Sequence, residues 1–584
     1  MLSKGMPSRS GAVHVATTTR KYKGRVYQTH LLRRTFRVGH QVRHETLGNI
    51  SHLPASLIDI IRRALAGEAF SPATETFHVL RSLPHGHVQA VLGTVRRLQL
   101  DSLLSSKPCR ERDLVLAMLV ERLLDPASKL ATTRLWHNST LAEELSVEDA
   151  QEDELYQALD WLLARQAQIE KKLTERHLHE GSEVLYDISS SYYEGRCCSL
   201  VRYGHNRDGK RDRPIIVYGV LTDTEGRPLS VEVYPGNTGD ATTVPGQVKK
   251  LRERFGLSRV VLVGDRGMLT EKQITQLKQY PELGWISALK AGAIRQLVEA
   301  GALQLSLFDQ QNLVEIHTAL YPDERLVACF NPLLAEERKR KREELLQATE
   351  KELEAIQQQV ARRKKKILRQ EEIALKVGRV VNRFKMAKHF ELTIEEGRFH
   401  AQRLKEQIRE EGLLDGVYVI RTSESKEKLS APDTVRHYKN LTNVERAFRC
   451  WKGMDIRVRP IYLRTEEHVR AHIFLCLLAY YVEWHMRATL APLLFAEEDL
   501  AQYRRQRDPV APAKPSTVVQ TKKQRKQTEE GFPVQSFSTL LQALATRCRN
   551  TCRVQATKEG PTFEQVTQAT PMQARIFQLL GLTP

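Results

Sequence analysis

Apolar and polar positions change rhythm several times along the chain, and each change predicts a different element. Up to about residue 50, alternation around Val26, Tyr27, Leu31 and Phe36, with turn points at Gly24 and Gly39, predicts a small basic β region over residues 1–53. From Pro54 to Leu178 the spacing turns helical, as in DLVLAMLVERLLD and DELYQALDWLLARQAQIEKKL. Residues 54–182 are therefore expected to form a helical domain for packing, DNA binding or dimerisation. At Glu183 the pattern changes again. VLYDISSSYYEG is apolar, β-branched and aromatic, and RPIIVYGVLTD and RPLSVEVYPGN flank Thr224, Glu225 and Gly226 as the arms of a hairpin. TTVPGQVKKLRERFGL predicts an amphipathic helix ended by Gly256, and RVVLVGDRGM and GWISALK predict further strands. Residues 183–290 and 413–500 thus read as an α/β domain whose first three strands are antiparallel.

Residues 291–412 read as an insertion with charged helices. Leu346, Thr349, Leu353, Ile356 and Val360 recur at heptad spacing between the runs RKRKREE and RRKKK. A solvated helical hairpin explains this better than chemistry, although the basic runs could follow a DNA backbone. Strand GVYVIRT returns the chain to the α/β domain, and two helices come after it, HYKNLTNVERAFRCWKG and HVRAHIFLCLLAYYVEWHMRATL. Residues 501–535 are polar, basic and proline-bearing, as a flexible linker would be, and 536–584 read as a helical tail. No internal repeat is present.

Composition sharpens this picture in three ways. A chain of 584 residues exceeds one core and suits about three or four domains. Its 90 Lys and Arg against 70 Asp and Glu leave a net charge of +20, which attracts a polyanion and gains from counterion release. The eight cysteines show no zinc spacing and predict reduced thiols in a cytosolic protein. No membrane partner is expected, because MLSKGMPSRSGAVHV lacks an apolar signal core and Ile473 to Val482 is too short to span a bilayer.

The chemistry rests on three acids. Asp187 interrupts an apolar strand in Tyr186-Asp187-Ile188-Ser189, and a buried carboxylate is costly unless a cation offsets it. Asp265 ends the run VVLVG where the turn DRGM begins, the kind of strand end at which α/β sheets hold ligands. Either aspartate alone is better read as structural, since Asp at a strand end commonly caps the following turn. Tyr438, Glu445 and Lys452 are spaced by seven and seven, which predicts one stripe of one helix, with Arg449 a turn beyond Glu445. Asp240 in GNTGDATT reads as a helix cap, and Asp208 and Asp212 in GHNRDGKRDRP as parts of a solvated turn. Gly204, Gly209 and Lys210 imitate a phosphate-binding loop, but Arg211 replaces the required Ser or Thr and a strand comes next, which excludes nucleotide hydrolysis.

Over residues 183 to 490 or so, the chain resembles the DD(E) transposases of bacterial insertion sequences, within the group bearing a Y-(2)-R-(3)-E-(6)-K signature. Tyr438, Leu441, Glu445 and Lys452 stand at its four spacings, with Leu441 in place of arginine, so that Arg446 or Arg449 would take that role. Asp187 with Ser189, and Asp265 with Gly267, match the two aspartate motifs, and YPGNTGDATT resembles the third strand and its turn. The resemblance implies an α/β, ribonuclease H-like catalytic core interrupted by an insertion, with a small N-terminal β region and helical flanking domains. It implies catalytic and metal-binding roles for Asp187, Asp265 and Glu445, which would hold two divalent ions, Mg²⁺ with Mn²⁺ able to substitute. Tyr438, Arg449 and Lys452 would bind DNA. The partners implied are double-stranded DNA, as element ends and target, and a second subunit in a homodimeric synaptic complex, within the bacterial cytoplasm at the nucleoid. The other readings are a ribonuclease H-like nuclease that cuts without joining and an inactive, transposase-derived DNA-binding protein. A structural coiled coil explains the heptads and leaves the strand-borne aspartates unexplained.

Overall fold

Runs of β-branched and aromatic residues build the sheets on which the acidic residues sit. In the computed structural model, residues 11–68, 70, 77–210, 212–363, 367–511, 514–554 and 561–584 are described. Arg211, part of the RRKKK run (364–366) and part of the predicted linker (512–513) lie outside them. The chain forms two compact units, one of residues up to Ser82 with Asn550–Val566 and one of Leu83–Arg549 with Thr567–Pro584.

In the first unit, β1 (Ala12–Tyr22), β2 (Arg25–Val38) and β3 (Gln41–Asn49) make an antiparallel sheet in that order. Lys23 and Gly24 join β1 to β2 with φ of 48° and 76°, the left-handed pair of a tight hairpin turn. A helix, Ala55–Leu65, comes next, then β4 (Phe77–Pro84).

The second unit is built on an eight-stranded sheet. Its first strand along the chain is β5 (Glu183–Tyr192), flanked by β6 (Ile215–Thr222) and then β7 (Pro228–Pro235), all antiparallel. On its other side β8 (Val260–Val263) and β9 (Leu283–Ala288) run parallel to it. The sheet is completed by β10 (Leu313–Ile316), β11 (Arg325–Phe330) and, later in the chain, β14 (Val417–Thr422). Its order is β10-β11-β14-β9-β8-β5-β6-β7. Along β5 the side chains alternate: Val184, Tyr186 and Ile188 enter one core with Val248, Leu251, Ile274 and Leu277. Leu185 faces the opposite core, which holds Val444, Ala447, Phe448 and Trp451 and the apolar residues of the helix Glu466–Thr489. This is the α/β, ribonuclease H-like core that the resemblance implies, with helices on both faces. Ile473 to Val482 lie in that long buried helix, and among the described residues no helix is long and apolar enough to cross a membrane.

Helices Gly86–Arg97, Arg110–Leu124, Glu152–Ala164 and Gln166–His177 form a layer beside this core. Glu170 locks that layer to the sheet edge. Its carboxylate is fully buried, accepts the Val231 N–H at 3.0 Å, and lies 3.2 Å from Arg254 and 3.7 Å from Lys250. Glu170→Ala would leave Lys250 buried against one acid fewer and the β7 amide unsatisfied. It is expected to destabilise the protein by about 3 kcal/mol, the scale of a broken buried pair. Urea unfolding of the full chain measures this, and a change below about 0.5 kcal/mol, typical of surface substitutions, would contradict it.

Four parts differ from the reading of the pattern. Within residues 54–182, read as helical, Phe77–Pro84 form the strand β4, because their alternating apolar residues can join a sheet supplied from far along the chain. Within residues 291–412, the runs LVEI and RLVACF join the main sheet as β10 and β11, because they are apolar enough to extend it beyond β14. The core of the insertion begins only after β11, with helices Pro332–Arg362 and Gln370–Phe384 and a hairpin of β12 (Phe390–Glu395) and β13 (Arg398–Arg403). Leu346, Thr349, Leu353, Ile356 and Val360 are all buried in it. Residues 501–535 carry helices Leu500–Gln506 and Thr517–Arg525 where a flexible linker was expected. Val510 and Val519 are buried there, and Lys522 donates to the Ala491 carbonyl at 3.1 Å, so a few anchors fasten a polar segment. Beyond residue 536, helices Phe537–Ala545 and Pro571–Leu580 enclose two strands, β15 (Cys548–Val554) and β16 (Thr562–Val566), which join β4 in the order β16-β15-β4. All eight cysteines are free.

Candidate active site

Parallel pairing of β5 with β8 brings two aspartates side by side. Leu185 is in register with Val263, and Asp187 and Asp265 each come two residues later. Neighbouring strands lie about 4.8 Å apart, so the two chains leave the ladder side by side, and the charge of Asp265 is felt at Asp187. Asp187 accepts the Ile188 N–H at 2.8 Å. Burial, and secondarily the charges of Asp265 and Glu445, push its carboxyl up to about 7, while the Ile188 amide and Arg207 oppose that rise. Asp265 accepts the Gly267 and Met268 amides at 2.9 and 2.7 Å through one oxygen, which fixes the turn after β8. A Cβ at Gly267 would stand 3.4 and 3.5 Å from the two carboxylate oxygens, in ordinary van der Waals contact with them.

Glu445 lies exposed on the helix Leu441–Lys452, which packs over β5 and β6. Tyr438 lies in the last turn of the preceding helix, Ala431–Lys439. The one continuous helix read from the seven-residue spacing is therefore two, joined at Asn440, whose φ of −62° and ψ of −17° keep the periodicity nearly unbroken. Burial, then the carboxylates of Asp265, Glu445 and Asp187, raise the Tyr438 hydroxyl to about 12. Tyr438 thus stands in the field of all three acids. His437 pairs with Glu183 at the start of β5. Asn443 donates to the Thr224 carbonyl at 2.8 Å, tying the second helix to the β6–β7 turn.

The cations sit differently from the pattern's expectation. Arg449 is exposed on the helix of Glu445. Lys452 is half-buried, with its Nζ 3.1 Å from Asp208. Asp208, read as part of a solvated turn, has a carboxylate only 1% exposed, faces Lys452 and Arg459, and accepts the Tyr192 N–H at 3.1 Å. Burial pushes the Lys452 ammonium down, and Asp208 opposes that fall. Arg207, beside Asp208, is the cation felt by Asp187; it donates to Asp240 at 2.7 Å. Asp240 is consequently an ion-pair partner and not the helix cap expected, since Gly239 precedes that turn and no side chain caps it. The polar composition around Asp208 and Arg207 gave no sign of these roles; their partners come from elsewhere in the chain.

The acids offer only oxygen ligands and crowd like charges at a strand end, a donor set that suits a hard divalent cation. Their oxygens do not all converge within 4.8 Å. Among the described residues the one group that does is Cys450, Asp455 and Glu483. Arg487 already sits among these, 2.5 Å from Glu483 and 3.1 Å from Asp455, so both carboxylates of that group are paired with a cation.

Residues 196–482 match the transposase DDE domain, a span that contains Asp265, Glu445 and Lys452 and begins after Asp187. Residues 15–75 match the N-terminal domain of IS1634 family transposases. No curated protein matches the chain. With an acid-bearing ribonuclease H-like sheet and both matches in chain order, the protein belongs to the DDE transposases of insertion sequences and functions as a DNA transposase.

Proposed function

We propose that Asp187, Asp265 and Glu445 are the catalytic triad of this transposase and hold two divalent ions, Mg²⁺ with Mn²⁺ able to substitute. The β5–β8 pairing carries the reading, because an aspartate follows two residues after its last pair on each strand, and the helix of Glu445 packs over β5. The family generally uses divalent metal ions. Bound ions supply activation of the attacking oxygen and stabilisation of the leaving oxygen in an in-line displacement at phosphorus.

The chain's residues supply the rest. The turn amides that hold Asp265 orient one carboxylate, and the β5 backbone orients Asp187. Tyr438, Arg207, Arg449 and Lys452 grip the phosphate backbone beside them. Water is the nucleophile when an element end is cleaved, and the freed 3′-hydroxyl is the nucleophile in strand transfer to target DNA. One site serves both because each step is the same displacement. A homodimer holds the two element ends in a synaptic complex, at the nucleoid of a bacterial cytoplasm.

Metal-dependent unfolding tests the triad without DNA. Saturating Mg²⁺ or Mn²⁺ is expected to stabilise wild type by about 2.7 kcal/mol at a hundredfold excess over Kd. Asp187→Asn removes a carboxylate that burial and its neighbours disfavour. It is expected to raise the melting point of the metal-free protein and to lose most of the metal-dependent gain. An Asp187→Asn protein that responds to metal as strongly as wild type would refute this ligand assignment.

A further inference from the structure

The first acidic residue of the chain is Glu45, and ten lysines and arginines precede it. Most of these lie in the sheet β1–β2–β3. β3 pairs with β2 only from Leu31 to Val38, whereas β1 and β2 continue pairing down to Tyr22 opposite Arg25. Thr18–Tyr22 and Arg25–Thr29 therefore form a ribbon of two strands beyond the third. Residues 17–28 are exposed along both arms. A bare two-stranded ribbon is marginal in water, and this one also leaves Tyr22 56%, Val26 57% and Tyr27 52% exposed.

Register sorts its side chains. Arg20 is opposite Tyr27 and Tyr22 is opposite Arg25, so two arginines and two tyrosines share one face. Lys21 opposite Val26 lies on the other face, and Lys23 sits at the tip beside the Tyr22 ring, 5.6 Å from its centroid. Five paired positions at about 3.3 Å each give an arm of roughly 16 Å. That is longer than the depth of the DNA major groove, about 8.5 Å, which admits a two-stranded ribbon.

We propose that the β1–β2 ribbon is a DNA-docking arm, inserted into the groove of duplex DNA with Arg20, Lys21, Lys23 and Arg25 on the phosphates and base edges and Tyr22 and Tyr27 packed against the sugar–phosphate wall. Charge selects the partner: four cations and no acid on an exposed arm complement a polyanion, and the aromatic rings gain burial only when something covers them. The inference rests on the DNA-acting function of the chain and is independent of the triad.

The full chain is titrated with two labelled duplexes, one of mixed sequence and one carrying the terminal repeat of its own element, over a series of salt concentrations. Arg20→Ala/Arg25→Ala is expected to weaken binding at least tenfold and to lower the salt slope by about 2, since each phosphate contact contributes about 0.9. Arg20→Lys/Arg25→Lys keeps the charge and is expected to keep the slope. Wild-type protein that binds neither duplex would overturn the DNA-acting reading itself, whereas wild type that binds beside an alanine variant that binds equally well overturns the arm alone. Since the alanine variant could unfold the ribbon, wild-type protein is also acylated at its amines with and without saturating mixed-sequence duplex. Protection of Lys21 and Lys23 supports the arm; both lysines equally reactive with and without DNA, or an alanine variant that binds with wild-type affinity and slope, overturns it.

Discussion

Asp208→Ala is expected to cost about 3 kcal/mol of stability and about a hundredfold in DNA cleavage, although composition places Asp208 in an ordinary polar turn. Its carboxylate is 1% exposed and serves two cations, Lys452 and Arg459, besides the Tyr192 amide at the end of β5. Removal leaves both cations without their acid. The stability loss falls at the lower end for a broken buried pair because their side chains are 14% and 25% exposed and regain some hydration. Cleavage falls because Lys452 loses the contact that fixes its position, and an ångström of misplacement near a reacting group can cost about a hundredfold. Asp208→Ala/Lys452→Met is expected to recover part of the stability and none of the activity. Urea unfolding and single-turnover cleavage of both proteins decide the matter. An Asp208→Ala protein as stable and active as wild type would return Asp208 to a solvated turn.

Asp265→Asn is expected to lower single-turnover cleavage by about a thousandfold, close to 4 kcal/mol of transition-state stabilisation. Asparagine retains an oxygen for the Gly267 and Met268 amides, so the turn after β8 survives. The loss is one of negative charge. Glu445→Gln should behave alike, since Glu445 is exposed and contributes little to packing. Retained DNA binding with lost cleavage is the expected pair of results. Cleavage within tenfold of wild type would exclude Asp265 from the chemistry.

The parts of the site legible in the sequence are those whose signal is local. Asp187 breaks an apolar strand and Asp265 ends one, and the turn of Thr224, Glu225 and Gly226 is marked by composition, with Gly226 at φ +90°. Glu445 stands out through its seven-residue relation to Tyr438 and Lys452, and this survives the break at Asn440 because that residue keeps helical angles. Asp208 and Arg207 were not legible. Asp208 meets Lys452 across 244 positions (452 minus 208), and nothing within its own turn signals that it is buried. The segment 501–535 shows the same limit: Lys439 reaches the Val510 carbonyl at 3.0 Å, and such long-range anchors leave no trace in a basic, proline-bearing run. The strands β10 and β11 were hidden for the opposite reason, their few apolar residues being too short a signal among charged helices.

A single triad that both frees an element end and joins it to new DNA must lose both steps together. The deciding experiment incubates wild type with a labelled duplex carrying the element's own terminal repeat, unlabelled target DNA and Mg²⁺ or Mn²⁺, and detects cleaved and joined products side by side. Metal-dependent cleavage at the repeat and joining of the freed 3′ end are expected, both lost in Asp187→Asn, Asp265→Asn and Glu445→Gln proteins that still bind. Cleavage without joining, or binding without cleavage in either metal, would contradict a shared transposition site.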